Sequence, residues 1–241
     1  YLWVRRAFGR WEALLTCAGL ATSFWAVSVS RQGLRSSLLP ALQAAAVYAW
    51  WRGAYDGESR SRGSWGWFGL SGLLVGATLW TYMAARATWA LFLALPLYLL
   101  FTDRRRLKRR WPGMLLTVVL AWVVAAPMFI WLRLHPGAEQ RFAQLAEPLQ
   151  RLVAGDLGQV IGNGLQALGM FIFRADDLWM YNLPGRPWLS PVLGILFYVG
   201  VGLAVWRWKQ LRYVAALMWL ALGMASSLVT GVSASATRSV A

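Results

Sequence analysis

The sequence predicts an all-α fold, a polytopic membrane helix bundle, and three observations predict it. Seven apolar stretches recur between short polar breaks, at roughly 11–30, 36–51, 65–83, 87–102, 111–132, 189–206 and 213–230. Basic residues gather in every second break. Many of the 17 tryptophans fall where a stretch begins or ends. A helix rises about 1.5 Å per residue and needs roughly 20 residues to cross the hydrocarbon, so these lengths suit spans. A soluble all-helical core supplies one or two such segments, not seven. The composition agrees: 59% of the 241 residues are hydrophobic and 14% charged, which excludes disorder. Cys17 is the single cysteine, which excludes an internal disulfide. Residues 1–241 therefore read as one transmembrane domain of about seven helices with one long outer loop at 133–188.

The breaks set the order and direction of the spans. Breaks 1–10, 52–64, 103–110 and 207–212 hold 15 of the 24 Lys and Arg residues, opposed there by Asp56, Glu58 and Asp103. The positive-inside rule puts these breaks, and the start of the chain, in the cytoplasm, and its end outside. The net charge of +15 would by itself suggest nucleic acid. Alternation across seven spans gives most of that charge a topological role instead. The run DRRRLKRR at 103–110 reads as a cytoplasmic loop at the lipid headgroups, with Pro112 in the first turn of the next helix. Trp11, Trp50, Trp51, Trp65, Trp67, Trp111, Trp131, Trp206 and Trp208 all lie at span ends, where an amphipathic ring suits the interface. No secretory cleavage pattern follows the first span. Tyr1 to Val4 read like the tail of a preceding span, so the chain is expected to be a fragment.

The residues that break the orientation rule carry the functional hint. Arg31 and Arg35 occupy the short outer turn VSRQGLRSS, and Arg86 occupies another, TYMAARAT. Arg31 and Arg35 are spaced i, i+4, as are Tyr82 and Arg86 at the end of the 65–83 stretch. Planar guanidiniums at the outer leaflet suit a phosphate clamp. The competing reading is that they snorkel to lipid phosphates or pair with loop carboxylates such as Asp176. Both readings are open at this level.

The outer loop is too long for a passive connection. Phe142, Leu145, Leu149 and Leu152 follow helical spacing interrupted by Pro148, the pattern of an amphipathic helix lying on the membrane. The stretch at 161–173 is apolar but short, and reads as interfacial or re-entrant. In FRADDLWMYNLPGRPWLSP, the adjacent Asp176 and Asp177 would not share a helix face, so they are not by themselves a catalytic pair. Trp179 and Tyr181 suit stacking on a sugar, and Asn182 and Arg186 suit hydroxyls or phosphate. The alternative is a loop tied down by Arg–Asp pairs with aromatics dipping into lipid. Ser190 and Pro191 offer an N-cap and a first-turn proline to the next span. With one histidine, His135, and one cysteine, zinc or Cys–His chemistry is excluded, and no P-loop is present. No metal ligand is assigned, no cofactor is specified by these residues, and the metal requirement is left open.

The order of SRQGLRSSLLP at 30–40, GATLWTYMAARA at 76–87, a basic loop followed by WPG, HPGAEQR at 135–141 and FRADDLWMYNLPGRPWLSPVLG at 173–194 resembles glycosyltransferase family 39. That family includes protein O-mannosyltransferases and the aminoarabinose transferases of lipid A; the likeness is nearest to its bacterial members. The resemblance implies a GT-C fold in the bacterial plasma membrane, with a polyprenyl-phosphate-linked sugar as donor. The acceptor would be a hydroxyl of a lipid, glycan or protein at the outer face, which attacks the anomeric carbon of the donor with inversion. It implies that Arg31, Arg35, Tyr82 and Arg86 line the donor-phosphate side of an outer cavity. Asp176, Asp177, Trp179, Tyr181, Asn182 and Arg186 fall in its membrane-proximal sugar or acceptor loop. The family's general base lies in a first outer loop that would precede Tyr1, so no catalytic residue is assigned and the fragment alone is expected to be inactive. The rival class is a transporter or flippase for an anionic lipid-linked substrate. Transporters usually show internal repeats and mid-membrane ionisable residues, and neither is visible here. A non-catalytic scaffold would leave the outer arginines without a task.

Overall fold

The apolar stretches fold as helices in the computed structural model of the chain, which describes residues 1–31, 37–55, 62–82, 85–135, 158–173 and 183–229. In chain order they are α1 Leu2–Ala7, α2 Arg10–Thr22, α3 Phe24–Arg31, α4 Leu38–Tyr55 and α5 Arg62–Thr78. Then follow α6 Ala85–Thr102, α7 Arg104–Leu134, α8 Gly158–Gly169, α9 Pro191–Trp206 and α10 Leu211–Val229. Two of these, α6 and α7, are long and apolar enough to cross a membrane; α9 and Leu211–Ala225 of α10 are apolar but shorter. The helical class and a membrane bundle thus agree with the expectation, while seven separate crossings remain a reading of the sequence.

Three boundaries differ from the expected ones. The stretch at 11–30 is not one helix: it breaks at Ser23, whose backbone is extended (φ −68°, ψ 120°). There the Thr22 hydroxyl donates to the carbonyl of Ala18 at 2.8 Å, a side-chain bond that competes with the helical ladder. The stretch at 65–83 stops at Thr78. Successive i to i+3 backbone bonds, Leu79 to Gly76, Trp80 to Ala77 and Thr81 to Thr78, tighten its end. The run 103–110 is helix rather than loop. Asp103 caps it, accepting from the Arg106 N–H at 3.0 Å, and α7 continues through Pro112 and Pro127. Pro112 therefore lies inside a helix, at the cost of one backbone hydrogen bond.

Small residues let the central helices approach closely. Gly113, Thr117, Ala121 and Ala125 recur every fourth residue on the buried face of α7. Opposite them on α5 stand Gly72 and Gly76: a Cβ on Gly72 would lie 2.6 Å from the Thr117 carbonyl oxygen. Phe68 of α5 fills the space left by Gly53 of α4 and Gly113 of α7. Buried hydroxyls join the same helices, Thr117 to the Phe68 carbonyl at 3.0 Å and Ser71 to the Ala46 carbonyl at 2.9 Å. This small-residue and hydroxyl packing is what membrane interiors favour, where apolar surface has no reason to leave lipid. Meanwhile Leu93, Leu97, Leu115, Val119, Val123 and Ile130 of α6 and α7 are exposed. Close packing through small residues and a few hydroxyls inside, with large apolar side chains outside, is the pattern of a lipid-facing bundle.

The tryptophans divide. Trp11, Trp65, Trp131, Trp206 and Trp208 are exposed near helix ends, and Trp111 is exposed two turns into α7, in keeping with an interface role. Trp50 and Trp51 are instead in the core, Trp50 edge-on to Phe68 with centroids 6.4 Å apart. Trp50 faces α5, while Trp51 packs edge-on to Trp3 of α1 with centroids 6.2 Å apart, and burial against neighbouring helices overrides the interfacial preference.

Helix contacts also gather the basic breaks. Arg212 donates to the Ala7 carbonyl at 3.2 Å, and the Tyr98 hydroxyl to the Trp208 carbonyl at 2.8 Å. Arg106 lies 4.0 Å over the Tyr55 ring, and Arg6 5.9 Å from that of Tyr48. One end of the bundle thus collects the ends of α1, α4 and α6 and the starts of α7 and α10.

Candidate functional site

The other end of the bundle is closed by a second cluster, Leu39, Leu79, Ala85 and Ala125, drawn from α4, the end of α5, α6 and α7. Tyr82, Trp89, Met128 and Phe129 pack against it. The expected pairing of Tyr82 with Arg86 on one helix is corrected here. Tyr82 lies beyond α5, half-buried in the turn, and its carbonyl accepts from the Ala85 N–H at 3.1 Å. Arg86 belongs to the first turn of α6. Tyr82 packs on the cluster directly, and Arg86 approaches it through Phe129.

Arg86 is half-buried, its guanidinium carbon 5.9 Å from the Phe129 ring centroid, within cation–π range. A cation in a first helical turn is opposed by the helix dipole, so the place is electropositive twice over and favours an anion. Arg31 stands differently. It is exposed in the last turn of α3, where a cation complements the negative end of the helix.

Arg186 is positioned by a turn that its sequence specifies. The Arg186 N–H donates to the Leu183 carbonyl at 2.9 Å, and Gly185 between them has φ 73°. Pro184 followed by a positive-φ glycine is the pattern of a type II turn. Beyond it the N–H groups of Trp188 and Leu189 donate to the carbonyls of Met170 and Phe171 at 3.0 and 3.2 Å. Trp188 is buried against Ala167 and Met170. So anchored, Arg186 lies 4.6 Å over the Phe24 ring and ties the outer loop to α3. The stretch 161–173 is helix to Gly169 and then turns. Pro191 opens α9 as expected, but Ser190 makes no side-chain cap bond.

Arg35, Asp176, Asp177, Trp179, Tyr181 and Asn182 lie outside the described residues, as does the amphipathic segment around Phe142. Among the described residues no group of three His, Cys, Asp or Glu side chains is placed to hold a metal. Sequence reasoning passed over Gln43. It is 1% exposed on α4, one turn from Leu39, and its amide makes no hydrogen bond among the described residues. A glutamine within an apolar span was the available signal.

Searches of curated proteins and of solved structures returned no match. Residues 1–131, more than half of the chain, match the family described as dolichyl-phosphate-mannose-protein mannosyltransferase. The matched region takes in α1 to α6 and nearly all of α7, and with them Arg31, Arg86 and the cluster on which Tyr82 packs. With its apolar-faced helices, the chain belongs to that family and is a membrane glycosyltransferase of the GT-C type.

Proposed function

We propose that the protein transfers a sugar from a polyprenyl-phosphate-linked donor to an acceptor hydroxyl at the outer face of the bacterial plasma membrane, with inversion. In this reading the hydroxyl attacks the anomeric carbon as the carbon–oxygen bond to the lipid phosphate breaks. The hydroxyl proton passes to a carboxylate base, to which no residue of this chain is assigned. Negative charge grows on the departing phosphate, and Arg86 stabilises it. Tyr82, Arg31 and Arg35 complete the donor-phosphate side. Asp176, Asp177, Trp179, Tyr181, Asn182 and Arg186 face the sugar or acceptor. Acceptor classes are lipid, glycan and protein.

The observation that carries this reading is Arg86, half-buried beside Phe129 at the end of the bundle where Tyr82 also packs, within the region that matches the family. The second supporting feature is separation. Phe129, beside Arg86, and Arg110 stand at opposite ends of α7, about 28 Å apart at helical rise and so nearly a hydrocarbon thickness. The proposal accordingly makes the bundle multi-pass, with the Arg104–Arg110 end cytoplasmic.

Arg86→Ala in the full-length protein is expected to lower transfer from a polyprenyl-phosphate sugar by about 100-fold or more while membrane insertion is unchanged. Unaltered transfer would remove Arg86 from the donor site.

A further inference from the structure

The end of the bundle opposite Arg86 holds a feature that glycosyl transfer does not use. A cavity of about 340 Å³ opens between the end of α4 and the first two turns of α7. It is lined by Tyr55, Asp103, Arg105, Arg106, Arg109 and Arg110. Four guanidiniums therefore face one carboxylate. Asp103 is already engaged: it caps α7 and lies 3.5 Å from Arg106, which also covers the Tyr55 ring.

The arrangement opposes itself electrostatically. Arg105 with Arg109, and Arg106 with Arg110, are like charges at i, i+4 on one helix face, a destabilising spacing. All four sit within the first two turns, where the dipole is also positive. Arg110 is only 5% exposed, beside the glycine–phenylalanine packing of α5 and α7. A merely solvated basic loop would spread these charges into water. Here the fold turns them into a shared concavity, beside the exposed Trp111 that marks headgroup depth.

We propose that this cavity binds a phosphate group, as the headgroup of an anionic lipid or as free phosphate. The chemistry is that of an Arg-lined pocket at a membrane surface: planar donors on several sides and a volume that admits a phosphate with bridging waters. It is separate from the donor site, and its failure would leave the donor reading untouched.

Native mass spectrometry of the full chain, released from nanodiscs of phosphatidylcholine with phosphatidylglycerol, tests the lipid arm. The exposed pair Arg105→Gln with Arg109→Gln is expected to reduce retained phosphatidylglycerol at least about fivefold. Arg104→Gln with Lys108→Gln, from the same run but outside the lining, is expected to leave retention unchanged. The second arm is thermal unfolding in neutral detergent, with inorganic phosphate against chloride at equal ionic strength. Stabilisation of the wild type and not of the Arg105/Arg109 variant, without lipid retention, identifies free phosphate as the ligand. Equal loss from both pairs would reduce the site to diffuse charge and overturn the proposal. So would the absence of both retention and stabilisation.

Discussion

Thr117 donates its hydroxyl to a carbonyl of the neighbouring helix, at 1% exposure and with its own chain bond to Gly113 as second choice. Thr117→Val keeps the shape and removes the donor. Interhelical bonds of this kind contribute about 0.6–1.7 kcal/mol, and thermal unfolding in detergent should show a loss of that size. Gln43 is expected to behave oppositely. Its buried amide is unpaired among the described residues, so Gln43→Leu should raise stability by about 1 kcal/mol in the same measurement. A drop in stability would mean that the amide has a partner in the folded protein. At this scale composition is a poor guide: Trp50 and Trp51 carry the same ring as Trp111, and only the face on which each stands sends it to the core or to the surface.

The pair α5 and α7 is held by what its side chains lack. At Gly72 an added Cβ meets backbone, the Thr117 carbonyl and Cα, which cannot swing away. Gly72→Val is therefore expected to destabilise the bundle by about 1–3 kcal/mol. Gly200, where an added Cβ would meet no neighbouring element within 4 Å, is the control, and Gly200→Ala should be nearly silent in the same assay. Equal effects would mean that the helices do not pack through Gly72. The four-residue spacing of Gly113, Thr117, Ala121 and Ala125 was present in the sequence, but length and hydropathy do not register it. Element ends were misread for a local reason. A charged run between two apolar ones suggests a loop, yet Arg and Lys are good helix formers and Asp103 supplies the cap. Likewise Ser23 and Thr78 end helices through hydroxyl and backbone bonds that hydropathy does not see.

Across the whole molecule, the alternation of basic breaks makes a prediction about sidedness. Cys17 is the sole cysteine, so Cys17→Ala supplies a background for labelling. A membrane-impermeant maleimide added to intact cells should modify Arg133→Cys and not Lys108→Cys, which lie near opposite ends of α7. Labelling of both positions from outside would break the proposed orientation. The sequence by itself determined the helical class, the membrane setting and the segregation of charge. These follow from solvation, which acts on each segment whatever its neighbours. It also marked Arg31, Arg35 and Arg86 as charges out of place. Only the tertiary structure set Tyr82 in a turn beyond α5, Arg86 of α6 beside Phe129, and Arg186 over Phe24 of α3. Only it turned Arg105, Arg106, Arg109 and Arg110 from a basic run into the wall of a cavity. These outcomes depend on which helices lie side by side, and contacts between segments distant in the chain leave no periodicity in either one.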